Sequence, residues 1–125
     1  MLFRFRKLCQ SDPRLIGMWQ SDADATIAEI RKARPVTPEQ EEAMRKIFGK
    51  MKITYTDTTC TTDLDGDLDT LTLQVIRKDE DSVVVKVQSG LSTRKEEFRI
   101  RFEGSDTYWV DVKEFGLSEC FRRIQ

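Results

Sequence analysis

The residues best placed to do chemistry are carboxylates. Asp63-Leu64-Asp65-Gly66-Asp67-Leu68-Asp69 sets four of them at alternate positions around a glycine, a grouping of oxygens that suits a hard cation. The EF-hand template does not fit. With Gly66 in sixth place, the first and twelfth positions fall on Thr61 and Thr72 rather than on Asp and Glu. Asp65-Gly66 between alternating segments is a hairpin turn, so the run reads as a charged, solvated tip. Glu96-Glu97 are adjacent on a strand and point to opposite faces, while Asp79-Glu80-Asp81 falls in a turn; neither makes an acid–base pair. Cys120 lies two residues from Arg122, where a cation lowers a thiol pKa, but it reads as a buried structural thiol.

Histidine is absent, which removes the commonest general base and every Ser-His or Cys-His nucleophile pair. Cys9, Cys60 and Cys120 are an odd count at no metal-ligand spacing, and read as thiols in a reducing compartment. No phosphate loop or hydrolase elbow is present. The expectation is therefore a protein that is not an enzyme, with no catalytic residue, no metal and no cofactor.

A length of 125 residues fits one domain, residues 1–125. Twenty-one basic against 22 acidic residues give a net charge of −1, without the basic excess of a nucleic-acid binder, so no nucleic-acid partner is expected. The local exception is Arg4-Phe5-Arg6-Lys7, in a segment 1–12 that reads as an arm or edge strand ended by Asp12-Pro13. The start lacks the apolar run of about 7–15 residues of a signal peptide. No segment has the roughly 18 apolar residues of a transmembrane span. A cytoplasmic location is expected.

Leu15 to Gln20 reads as a first strand, with Leu15, Gly17 and Trp19 on one face. The period then changes. Ser21-Asp22-Ala23-Asp24 offers N-cap oxygens to a helix from Ala23 to Ala33, ended before Pro35. Thr37-Pro38-Glu39-Gln40 is a capping box with proline at the first helical position. It opens a second helix whose apolar stripe is Ala43, Met44, Ile47 and Phe48. From Met51 the period is two. Strands are expected over Met51–Cys60, Leu68–Lys78, Val83–Val87, around Phe98–Phe102, over Tyr108–Val112 and over Leu117–Ile124. The fold class is mainly β with two short helices. Seven strands form an antiparallel up-and-down meander, with the helix pair between the first and second, and closure into a barrel removes its edges.

A strand bearing Gly17-Met18-Trp19, a helix pair and a meander ending in Cys120-Phe121-Arg122-Arg123-Ile124 resembles the calycin superfamily of lipocalin-like and fatty-acid-binding-protein-like small β-barrels. The resemblance covers nearly the whole chain in layout and two short motifs in residues. It implies that an arginine of the last strand, Arg122 or Arg123, packs on Trp19 and closes the barrel floor, with Gly17 beside it. In the fatty-acid binders the last strand reads Arg, any residue, Tyr, and holds a carboxylate; aligned on Arg122, the tyrosine position here is Ile124.

The inward set Tyr55, Leu71, Val85, Phe98, Phe102, Tyr108 and Val110 could line an apolar pocket. Tyr55, Tyr108 and Arg122 would supply its polar groups. The function expected is binding of a small apolar or amphipathic ligand, with the helices as a lid. The alternative is a non-catalytic protein–protein interaction or structural module whose barrel is filled by its own core.

Overall fold

A computed structural model describes residues 12–90, 95–113 and 115–125; residues 1–11 of the expected arm lie outside them. The strands are β1 (Gly17–Ser21), β2 (Lys52–Tyr55), β3 (Thr59–Leu64), β4 (Asp67–Lys78), β5 (Ser82–Ser89), β6 (Lys95–Glu103), β7 (Thr107–Val112) and β8 (Leu117–Arg123). Each pairs antiparallel with the next. β8 returns to β1 through Trp19–Arg123, Gln20–Arg122 and Ser21–Phe121, so the sheet is a closed barrel. Closure removes the two free edge strands that an open sheet would present to another chain. Alternation sends Trp19, Ile53, Tyr55, Leu73, Val75, Val83, Val85, Ile100, Tyr108 and Phe121 into one core.

Two expectations need correction. Met51–Cys60 is not one strand but parts of two, which makes eight strands rather than seven. The chain turns at Thr56, whose N–H donates to the Thr59 carbonyl at 3.0 Å. The Thr56 hydroxyl accepts the Thr59 N–H at 3.0 Å. Threonine favours extended backbone, yet its hydroxyl can also bond nearby backbone and hold a turn, and here the second tendency wins. The first strand begins at Gly17, not Leu15. Asp12 captures the Arg14 N–H with its carboxylate at 3.0 Å, and the Leu15 N–H donates to the Asp12 carbonyl at 3.0 Å. Leu15 therefore sits in a turn beneath the barrel, where it is still buried.

Helices α1 (Ala23–Ala33) and α2 (Pro38–Ile47) follow the capping signals. Asp22 caps α1 by accepting the Ala25 N–H, and Thr37 with Gln40 makes a full capping box on α2. The ladder between β1 and β8 stops at Ser21–Phe121, which leaves the edge of Leu117–Cys120 to be covered. The start of α1 covers it: the Asp22 N–H donates to the Cys120 carbonyl at 2.8 Å. The Cys120 N–H donates to Thr26 Oγ1 at 2.9 Å. Ile27 and Ile30 are buried there. The stripe expected on α2 is not fully buried: Ala43 and Ile47 are exposed, Met44 is half-buried, and Phe48, just past the helix, is buried. α2 is tied to α1 instead, by Arg45 to Asp24 at 2.8 Å and by the Arg31–Glu41 ion pair.

The floor of the barrel is made by its ends. Trp19 is fully buried, and its Nε1–H donates to the Leu15 carbonyl at 2.9 Å. The Arg123 guanidinium carbon lies 4.3 Å from the Trp19 ring centre. Arg14 pairs with the buried Asp12 at 2.6 Å and lies 4.6 Å from the Phe102 ring centre. Both guanidinia are thus spent on closing one end.

Candidate functional site

Above that floor the barrel holds a partly open cavity of about 700 Å³. Six of the residues expected to line a pocket do line it: Tyr55, Leu71, Val85, Phe98, Tyr108 and Val110. They come from β2, β4, β5, β6 and β7, on the face that alternation turns inward. Two do not. Phe102 lies at the floor end, under Arg14 and edge-on to Tyr108 with ring centres 6.5 Å apart. Arg122 lies on the outer face, where it ion-pairs with Asp22 and donates to Thr107 Oγ1 at 3.3 Å. Of the residues expected to close the barrel, Gly17, Trp19 and Arg123 come together, while Arg122 is apart. Neither helix contributes a lining residue: α1 braces the seam beside β8, and α2 packs on α1.

The cavity wall is mostly hydrocarbon, with a short set of polar atoms. The Tyr55 and Tyr108 hydroxyls are hydrogen-bonded to each other at 2.8 Å. Burial pushes both phenols well above their ordinary value, so both stay protonated. One hydrogen bond between two O–H groups uses one proton and leaves the other for an acceptor in the cavity. Tyr108 also stacks on Phe121 at 5.0 Å and leans on Trp19 at 4.7 Å between ring centres, which ties the cavity to the floor. Cys60 lines the wall as well. Burial, with the Asp69 charge adding to it, pushes its thiol up to about 12, which makes it unreactive at neutral pH.

Glu119 is the polar group that the sequence did not single out. It shares the inward face of β8 with Phe121 and lines the cavity. Ser21 Oγ donates to its Oε2 at 2.6 Å, and the same Oγ accepts the Gly49 N–H at 2.9 Å. Burial raises the Glu119 pKa above the ordinary 4.5, and the Ser21 hydrogen bond opposes part of that rise. A signal for Glu119 existed. If Arg123 is the arginine under Trp19, the period of two along β8 puts Phe121, Glu119 and Leu117 inside.

The cavity offers apolar walls, a donor from the phenol pair and the Glu119 carboxyl group, with Glu96 and the Cys60 thiol bordering the same space. No family model, curated protein or solved structure matches this chain.

Proposed function

We propose that this chain is a non-catalytic binding protein that holds a small apolar or amphipathic ligand inside its barrel, and that the barrel is of the calycin kind. The observation that carries the reading is the cavity of about 700 Å³ within a closed sheet. Ligand sites run from about 300 to 1,000 Å³ and are lined mainly by apolar and aromatic groups with a few placed polar ones. The calycin kinship is supported by Gly17-x-Trp19 on the first strand and by Arg123 lying against that indole. No helix among the described residues is long and apolar enough to cross a membrane. The proposal of a cytoplasmic location rests on Cys60 and Cys120, which are free and buried.

Binding would be driven by apolar burial, at about 25 cal/mol per Å² of ligand surface. Native mass spectrometry of the purified protein tests the reading. A bound metabolite or lipid fragment is expected, seen as added mass that is lost on collisional activation. A bare protein that also fails to retain added apolar compounds would favour the filled interaction module.

A further inference from the structure

We propose that the ligand is a cation: an apolar body carrying a protonated amine, whose N–H groups meet the Glu119 carboxylate inside the barrel. This rests on the ligand-binding reading above and adds the charge of what is bound.

Glu119 is held at one of its two carboxylate oxygens. Ser21 occupies Oε2, and because its Oγ already accepts from the Gly49 N–H, its own proton is directed to the carboxylate. Oε1 accepts no hydrogen bond from the described residues. No buried side-chain oxygen or nitrogen among those residues lacks a partner, so Oε1 is open to the cavity rather than sealed in the wall.

The second observation is where the cations are. Arg14 is held by Asp12 and by the Glu80 carbonyl at 2.7 Å. Arg123 is held by the Ile16 and Arg14 carbonyls at 2.8 Å each. Both close the floor, and Arg122 faces outward onto Asp22. Arg77 and Arg99, which border the cavity, pair with Val84 at outward strand positions, and Lys113 stands at the rim in the turn after β7. Among the described strand residues, no inward-facing lysine or arginine accompanies Glu119 in the cavity. Glu96, opposite the lining Val87, borders the same space and has the same sign of charge.

A carboxylate ligand would thus bring a second negative charge beside one that burial already disfavours. An ammonium would instead form a charge-assisted hydrogen bond away from bulk water, about twice as strong as a neutral one. A bound carboxylate gains most from an inward cation, and here the last-strand arginines are on the floor and on the outside.

Displacement of a neutral dye tests the idea. N-phenyl-1-naphthylamine brightens when it leaves water, and its saturable binding reports the cavity itself. At neutral pH, octylamine, octanol and octanoate then compete for the dye. Octylamine is expected to displace it at a concentration at least about tenfold below octanoate, a difference of about 1.4 kcal/mol. In Glu119→Gln that advantage should shrink to about threefold or less, with octanol unchanged. Ser21→Ala keeps the carboxylate and should keep the preference. If the dye does not bind, the cavity reading itself fails. If the dye binds but octanoate competes as well as octylamine in the unaltered protein, the cation proposal alone is overturned, whether or not any variant folds.

Discussion

Arg123 lies across Trp19, its guanidinium carbon 4.3 Å from the ring centre, while its terminal nitrogens donate to the Ile16 and Arg14 carbonyls. One side chain therefore seals the indole from below and pins the segment that leads into β1. Arg123→Gln removes a partly buried cation–π contact and charge-assisted bonds to backbone, and should cost about 2–3 kcal/mol. Its neighbour Arg122 is mostly exposed and pairs at the surface, so Arg122→Gln should cost less than about 1 kcal/mol. Urea denaturation of the two variants compares them directly. Equal losses would mean that the floor is held by something else.

Gly17 is needed where that arginine passes. Its φ is +131°, and a Cβ there would sit 2.6 Å from Arg123 Nη1 and 2.6 Å from the Gln125 carbonyl oxygen. That oxygen is held in place by the Met18 N–H, which donates to it at 2.8 Å. Gly17→Ala should cost roughly 1–3 kcal/mol from the backbone conformation alone, before the clash is counted. A thermal melt that matches the parent protein would contradict the contact.

The buried phenol pair makes a prediction about coupling. Tyr55→Phe or Tyr108→Phe alone leaves a buried hydroxyl without its partner, at about 1–3 kcal/mol. Replacing both removes the orphan. The double variant should be no less stable than the worse single one, so the losses are not additive. Chemical denaturation of the four proteins measures this, and simple additivity would show that the hydroxyls act independently.

Glu119 predicts a pH dependence whose sign differs from that of the other carboxylates. Its folded pKa is raised, so between its unfolded value near 4.5 and the folded value the native protein binds the proton that the unfolded chain has lost. The stability it contributes is full below that unfolded value and fades as pH rises through the folded one. Asp12 and Asp22 run the other way. Burial pushes each up, but hydrogen bonds from Arg14 and from Ala25 and Arg122 win and hold them below 3.8, so they lose stability in acid. Comparing the parent with Glu119→Gln cancels the aspartates. The variant should gain on the parent as pH rises from about 4.5 through the raised folded pKa, by about 1.4 kcal/mol for each tenfold by which burial weakens the acid. A stability difference that stays flat over that range would place Glu119 in solvent.

Much of the barrel was legible because its cues are local. The period of two after Met51, the Asp65-Gly66 turn and the Thr37 capping box are each read within a few residues. The extra strand was hidden because the same threonines that favour extended backbone also hold the turn at Thr56. The α2 stripe pointed to burial, yet salt bridges to α1 anchor the helix, and Ile47 stays exposed. Six lining residues followed from alternation on strands whose phase was clear. Glu119 was hidden because Arg122 and Arg123 are adjacent, and only the register with β1 decides which one faces Trp19. That choice sets which way every residue of β8 points.

The most direct measurement is a fluorescence titration of N-phenyl-1-naphthylamine into the parent protein and into Val110→Trp, in which an indole projects into the cavity from its own wall. Saturable one-to-one binding by the parent, weakened at least about tenfold in a folded Val110→Trp, is the predicted result. Binding that is absent in the parent, or equal in the two proteins, would contradict a ligand inside the barrel.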